Sequence, residues 1–461
     1  MNIGVDIRSL LEKERSGVGE YTYQLLSALF SIDPVRSPGQ KNFSENFSAL
    51  DRNLIKGNGV VSGTTPKTGG QASNGVDKEN QYYLFYNSFK KVEDNFLAEW
   101  KKYQNVHFCG FRWPNKLLNF CFKFLRWPKI DQLIVNSSQF TVTLSPAGRG
   151  RGEGALDLFF IPNLNFLAVS RGVKNIITVH DLSFLRYPRF FSWKRRLWHW
   201  FVNPQKLIRG ADKIIVVSEN TKRDLVELYK VASEKVSVIY SGVTPHLTSP
   251  PRGEEIAENL PLPNGERVGV RGFEEVKKKY NLPENFILFL GTLEPRKNIE
   301  GLIQAFEILK AYQLISLSAY KLVIVGPHGW LYKKILARAE KSLVRDDIKF
   351  INYISPEEKF SFYKLAKLFV YPSFYEGFGF PPLEAALAGT PVIVSTNSSL
   401  PEVIGEAALM VDPNNPAEMA KVMAECLTDE NLRAALILKG KGQAEKFSWK
   451  KCANEFLSLL N

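Results

Sequence analysis

Pro372-Ser373-Phe374-Tyr375-Glu376-Gly377-Phe378-Gly379-Phe380-Pro381-Pro382-Leu383-Glu384 is the stretch whose reading decides the fold. It follows a short apolar run, Leu368-Phe369-Val370-Tyr371, and precedes an apolar helical pattern at 381–388. A strand that ends in a glycine-rich turn and enters a helix is a building unit of parallel α/β sheets. Glycines let the backbone turn tightly and approach a ligand. Proline at the first helical positions costs nothing, because those N–H groups have no intrahelical partner. The exposed N–H groups and the helix dipole together make an anion site, which suits a diphosphate. Gly377, Phe378, Gly379 and Leu383 are therefore candidate ligand-binding positions. Glu384 falls in the first helical turn, where it can accept hydrogen bonds from ribose hydroxyls, and Glu376 stands before the turn, where it can face a sugar.

The same unit recurs on either side. Downstream of a linker, 286–291 reads as a buried strand and 298–310 as an amphipathic helix; 321–326, 349–351, 368–371 and 391–395 read as strands and 357–366 as a helix. Upstream, 1–7, 82–86, 132–136, 175–179 and 211–218 read as strands, and 20–30 and 219–229 as helices. Short apolar runs alternating with helical patterns predict βαβ units around parallel sheets. A chain of 461 residues is too long for one ordinary core. The expected fold is α/β, with two Rossmann-like domains facing across a cleft: 1–242, a linker at 243–272, 273–445, and a C-terminal helix at 446–461. Ligands in such sheets bind at the carboxyl ends of the strands, so the cleft is the expected site. Three Gly-, Ser- and Arg-rich stretches break the pattern, at 34–79, 144–154 and 249–272. They read as insertions into surface loops, mobile or disordered.

Further candidates stand at strand ends. Gly291-Thr292-Leu293-Glu294-Pro295-Arg296-Lys297-Asn298 follows a strand directly and places two adjacent cations there. Fixed cations suit a pyrophosphate that gains charge as its sugar leaves, Arg by bidentate contact and Lys as a point charge. Ile176-Ile177-Thr178-Val179-His180-Asp181 ends a buried strand in an imidazole at the cleft edge. Asp181 either orients His180 or caps the next segment. Ser16-Gly17-Val18-Gly19 reads as a turn into a helix, where Gly17 and Gly19 let backbone amides reach a ligand. It is not a Gly-x-Gly-x-x-Gly fingerprint, since Thr22 holds the last place. Val217-Ser218-Glu219-Asn220-Thr221 reads equally as a cleft-facing element and as a helix capped by Ser218.

With these residues in view, the chain resembles the retaining glycosyltransferases of the two-Rossmann GT-B fold, in particular glycosyltransferase family 4. The Glu-x7-Glu pattern of Glu376 and Glu384, with Gly-Phe-Gly-Phe-Pro-Pro inside it, carries the resemblance most specifically. It implies that Glu376 contacts the donor sugar, Glu384 the ribose, Arg296 and Lys297 the diphosphate, and His180 the sugar from the first domain. Gly17, Gly19 and Gly291 fall at the family's glycine positions, and the last helix returns to the first domain. Many members carry a basic residue directly after the glycine; here it is Thr292. The stretches 178–184 and 291–298 are similar to bacterial mannosyltransferase-like members that build O-antigen, capsule or exopolysaccharide. That similarity implies a GDP-mannose donor and a saccharide or lipid-linked acceptor, with retention at the anomeric carbon. Attack from the leaving-group face comes with the family. The resemblance covers nearly the whole chain outside the three insertions. The rival readings are a nucleotide-sugar epimerase on the same fold, which turns over donor without acceptor, and a basic nucleic-acid-binding protein, which predicts steeply salt-dependent affinity.

Composition narrows the setting. No Asp-x-Asp occurs anywhere, so no metal and no other cofactor is expected. The four cysteines have no metal-ligand spacing, and a chain of this size needs no disulfide staples; a reducing cytoplasm is the plain reading. No window of about 20 apolar residues offers a membrane span, and the N-terminus lacks the apolar core of a signal peptide. The net charge of +13 favours anionic partners. No acidic residue occurs between Glu99 and Asp131 or between Asp181 and Asp212, and both windows are rich in aromatics. Basic aromatic segments suit an anionic membrane surface, which places the protein peripherally on the inner face of the cell membrane. The Gly/Arg-rich stretches lack interleaved aromatics, so no nucleic acid is expected.

Overall fold

The computed structural model describes residues 1–11, 17–33, 80–93, 95–137, 156–244, 260–261, 267–268, 270–312 and 315–460. The inserted stretches 34–79 and 144–154, and most of 249–272, lie outside them.

Two parallel sheets organise the chain. The first holds seven strands in the order β3-β2-β1-β4-β5-β6-β7: β1 (Asn2–Asp6), β2 (Gln81–Asn87), β3 (Val106–Phe111), β4 (Leu158–Ile161), β5 (Lys174–Val179), β6 (Lys213–Val216) and β7 (Val236–Val238). A two-stranded antiparallel pair, β8 (Leu260–Pro261) and β9 (Arg267–Val268), falls in the connection. The second sheet holds six strands in the order β12-β11-β10-β13-β14-β15: β10 (Phe286–Leu290), β11 (Lys321–Val325), β12 (Ile348–Ile351), β13 (Leu368–Tyr371), β14 (Val392–Ser395) and β15 (Leu409–Val411). Central strands such as Phe286–Leu290 and Leu368–Tyr371 are buried at every residue. Helices cover both faces, so runs rich in Leu, Ile, Val and Phe replace alternation. In both sheets the order reverses beside a central strand, and there the carboxyl ends open a crevice.

Two sequence readings change. Residues 132–136 are not a strand: Ile130–Val135 is a helix whose buried residues are Ile130, Asp131 and Ile134. The pair four apart marks a helical face, and five residues are too few for periodicity to separate the two states. Gly17 and Gly19 do not form a turn before the helix; they lie in the first turn of the helix Gly17–Ile32.

The two halves share more than a linker. The last helix, Trp449–Ser458, packs on the helix Gly17–Ile32 of the first half. Phe456 meets Phe160 of β4 at 4.6 Å between ring centroids, and Trp449 meets Tyr21 at 5.8 Å. Val243 N–H donates to the Phe447 carbonyl at 3.0 Å, and Lys213 Nζ donates to that of Leu459 at 2.6 Å. One buried apolar cluster therefore runs from Ile3 and Leu26 through Phe456 and Trp449 to Val370 and Leu383, while the other face of the first sheet has a cluster of its own.

Candidate active site

The residues that follow β5, β10 and β13 come together where the two halves meet. β10 ends in a 3-10 turn, Pro295–Lys297, that projects Arg296 and Lys297 together. β13 ends in the loop that carries Glu376, and this loop is pinned from below. Ser398 Oγ accepts from Glu376 N–H at 2.8 Å, and Ser399 Oγ donates to the carbonyls of Glu376 and Phe378 at 3.0 and 2.9 Å. Gly379 then takes φ 101°, a left-handed conformation that favours glycine, to start the helix Phe380–Leu387.

The charged residues form one buried cluster. Lys297 Nζ donates to Glu376 Oε1 at 2.7 Å and to the Tyr371 hydroxyl at 2.5 Å. Arg296 Nη1 donates to Glu376 Oε2 at 3.1 Å and to the Tyr375 carbonyl at 2.5 Å. The other side of the guanidinium reaches Glu294, with Nε at 2.9 Å and Nη2 at 2.7 Å from Oε1. Glu294, Lys297 and Glu376 are all buried. Two cations and two carboxylates balance, as burial of charge requires. Burial alone would raise the Glu376 carboxyl, but the charges of Arg296 and Lys297 and the Lys297 hydrogen bond outweigh it and pull the group down to about 2. Burial, and then the neighbouring Arg296 charge, lower Lys297 from its ordinary value. Glu376 is thus ionised at neutral pH, and its two oxygens hold both cations in a fixed geometry.

His180 reaches the same place from the first sheet, at the end of β5. Its Nε2 lies 2.8 Å from the Pro162 carbonyl, which fixes that nitrogen as the protonated one, and its ring meets Tyr21 edge-on at 4.7 Å. Burial lowers its pKa, so the imidazole is neutral. Asp181 caps the following turn, accepting from Ser183 N–H at 2.9 Å and Ser183 Oγ at 2.6 Å. Across the cleft, a Cβ on Gly377 would overlap the His180 carbonyl oxygen. Only glycine lets the donor-side loop approach the His180 strand end so closely.

The other predicted positions divide. The helix starts at Phe380, so Glu384 falls in its second turn and not in the first turn where the sequence placed it; its Oε2 is held by the Tyr363 hydroxyl at 2.8 Å and Lys359 Nζ at 2.5 Å. Gly291 follows β10 directly, beside the Phe289 and Tyr371 rings. Phe378 packs on Phe380 and Phe447, at 5.1 and 5.6 Å, and Leu383 is fully buried. Gly17 and Gly19 open the helix whose Tyr21 supports His180. Among the described residues, no group of three or more His, Cys, Asp or Glu side chains is placed to hold a metal ion.

Several partners were not visible in the sequence. Tyr371 and Glu294 flank the cation pair, and only the nearness of Glu294 to Arg296 hinted at one of them. Lys359 and Tyr363 sit four apart on the helix Pro356–Leu365, a spacing that puts them on one face. Between the halves, the Tyr375 hydroxyl donates to Asp224, which also accepts from Arg186 Nε at 2.8 Å. Glu402 of the second half accepts the N–H groups of Glu219 and Asn220 at 2.7 and 3.0 Å. Ser218 caps that same helix through Thr221 N–H at 3.1 Å, so the stretch 217–221 is both a capped helix start and an interdomain contact.

Known proteins resemble the chain in sequence and in fold. Residues 272–443 match the family described as "Glycosyl transferases group 1", and residues 156–247 match "Glycosyltransferase Family 4". The chain is 31% identical over 295 residues to O-antigen chain mannosyltransferase B of Escherichia coli, covering 64% of this chain and 72% of that one. It is 34% identical over 287 residues to the serotype-specific mannosyltransferase WbdA of Escherichia coli, covering 61% of this chain but 32% of that longer protein. Sucrose-phosphate synthase from Thermosynechococcus elongatus shares the fold, with a TM-score of 0.62 over 100% of this chain and 98% of that one at 17% identity.

Proposed function

The chain belongs to the group 1 glycosyl transferases, glycosyltransferase family 4, and on that premise we propose that it moves mannose from GDP-mannose to a saccharide or lipid-linked acceptor in surface polysaccharide synthesis, with retention at the anomeric carbon. The observation that carries the reading is the buried cluster of Arg296, Lys297 and Glu376, set against His180 from the opposite half. The E. coli relatives' names favour mannose over other hexoses.

In this mechanism the diphosphate lies at the end of β10, against Arg296 and Lys297. As the bond from the anomeric carbon to the phosphate oxygen breaks, charge builds on that oxygen. The two cations, already fixed by Glu376 and Glu294, meet it without reorganising. Glu376 and the neutral His180 hold the sugar hydroxyls, and Glu384, anchored by Tyr363 and Lys359, accepts from the ribose. The acceptor hydroxyl attacks from the face the phosphate leaves, and a phosphate oxygen takes its proton. The new glycosidic bond then has the donor's configuration. The chain needs no metal or other cofactor in this scheme, because fixed cations carry the charge. It works at the inner face of the cell membrane, with its exposed aromatic and basic surface towards anionic lipid. Among the described residues no helix is long and apolar enough to cross a membrane.

The test is thermal stabilisation by GDP-, UDP-, ADP- and TDP-sugars, with and without EDTA, for wild type and Glu384→Ala, followed by NMR of the product. The expected result is a shift with GDP-mannose that EDTA leaves unchanged and the variant loses, and an α-linked product. A shift with UDP-sugars alone would overturn the donor assignment, and a β-linked product would overturn retention.

A further inference from the structure

The two acid-free windows come together on the flank of the first half. One contributes the helix Asn115–Phe120 and the π-helical turn Cys121–Leu125 that continues it. The other contributes the short helix Ser183–Arg186 and the helix Trp193–Val202. Between them lies a groove of about 640 Å³, within the range of roughly 300–1,000 Å³ typical of small-molecule sites. Phe124, Leu185, Trp200 and Phe201 give it apolar walls, and Lys123 and Arg196 bring positive charge to it. No Asp or Glu lines it among the described residues.

The floor is also unusual. The His199 ring stacks on Phe184 at 4.1 Å and 7°, and its Nδ1 is buried with no hydrogen-bond partner among the described residues. Burial holds this imidazole down at about 4, so it adds no charge at neutral pH. Around the groove, Phe120, Leu125 and Trp127 of one segment and Trp193 of the other stand out into solvent, each more than half exposed. Large apolar side chains left in solvent on both segments fit a binding surface.

Its position ties it to the catalytic cleft. Phe184 follows Ser183, whose N–H and hydroxyl are held by Asp181, the neighbour of His180. The helix Trp193–Val202 also touches the second half, with the Arg195 guanidinium 4.1 Å over the Trp330 ring. A ligand in the groove would therefore lie beside the His180 loop. The walls suit a hydrocarbon chain, and the two cations suit one phosphate group rather than the extended track of charge that a polynucleotide needs.

We propose that this groove holds the hydrocarbon chain of a phosphorylated lipid acceptor, with Lys123 and Arg196 paired to its phosphate. It rests on the transferase reading only in calling that lipid an acceptor. The probe is monomeric dodecyl phosphate, below its micelle-forming concentration and without vesicles, titrated against the whole chain by tryptophan fluorescence, since Trp200 lies on the wall. Binding is expected to saturate at one site. From octyl to dodecyl phosphate it should tighten by about two orders of magnitude, because each buried methylene contributes about fourfold. Gln205→Trp and Leu185→Trp, which fill the groove, should each abolish binding while circular dichroism shows the fold intact. The pair Lys123→Glu and Arg196→Glu should weaken dodecyl phosphate at least tenfold and leave decanol unaffected. Trp193→Ser, outside the groove, should leave monomer binding unchanged.

Absence of saturable binding, absence of chain-length dependence, or full binding by both filled variants would overturn the proposal. Sedimentation with anionic vesicles without monomer binding would make the surface a bilayer contact instead, and tight oligonucleotide binding would make it a polynucleotide site. A groove that binds dodecyl phosphate in a protein that no nucleotide sugar stabilises would count against the transferase reading alone.

Discussion

Glu376→Gln is the perturbation whose size can be worked out two ways. The carboxylate is buried and is the shared partner of Lys297 at 2.7 Å and Arg296 at 3.1 Å. Removing one member of a buried ion pair costs about 3–5 kcal/mol, because the remaining charge stays buried and under-compensated. Proton linkage offers a second route. A fall from 4.5 to about 2, at about 1.4 kcal/mol for each tenfold change in proton affinity, corresponds to roughly 3 kcal/mol. The two routes agree in order of magnitude. The sign follows from the direction of the shift: a depressed carboxyl contributes stability that is fully present above its unfolded value of 4.5 and is lost as the pH falls towards 2. At pH 7 the variant should therefore unfold about 3 kcal/mol more easily than wild type, a drop of roughly 6–12 °C for a domain of this size. The gap should narrow steadily below pH 4.5. Denaturant and thermal unfolding of both proteins at pH 7, 5 and 3.5 would check it, since the difference between them cancels every other titrating group. A gap that persists unchanged at pH 3.5, or no gap at pH 7, would refute the assignment of Glu376 as the ionised centre of the cluster.

Gly377→Ala puts a Cβ onto the His180 carbonyl; with misplacement of about 1 Å at a reacting centre costing about a hundredfold, transfer should fall at least that far while circular dichroism stays native. Tyr363→Phe removes the 2.8 Å hydrogen bond to Glu384 and should raise the donor KM about tenfold with little change in kcat, since a hydrogen bond to a charged group contributes about 1.5–3 kcal/mol; a kcat loss without a KM change would contradict the positioning role. Glu402→Ala removes the acceptor of two helix-start N–H groups across the domain boundary and should cost about 1 kcal/mol, seen as a lower midpoint in urea unfolding.

The strands of the second half were legible because burial on both faces writes them as apolar runs, as in Phe286–Leu290 and Lys321–Val325. β3 was not: its burial falls mainly on Val106 and Cys109, while His107 and Gly110 interrupt the run. Four-residue β4 adjoins an inserted stretch that hides its boundary. At the site, Arg296, Lys297 and Glu376 could be read because chemistry confines them to a strand end and a tight turn, and Glu384 through its spacing from Glu376, although it stands one turn further into the helix than expected. Their partners could not. Tyr371 and Tyr363 look like ordinary core aromatics, and Asp224 and Glu402 become functional only when the two halves meet.

That meeting gives the site its unity. Lys297 and Arg296 share Glu376, and Arg296 also donates to the Tyr375 carbonyl. Tyr375 reaches across to Asp224, and Asp224 holds Arg186. Arg186 ends the short helix whose Leu185 walls the apolar groove. An unbroken run of charged and hydrogen-bonded groups thus connects the Arg296–Lys297–Glu376 cluster to the wall of the apolar groove. Each member is at least partly withdrawn from water, where charge interactions are screened least. The close approach at Gly377, the interdomain hydrogen bonds and the cation cluster are therefore three parts of one arrangement, joined through Arg296 and Tyr375.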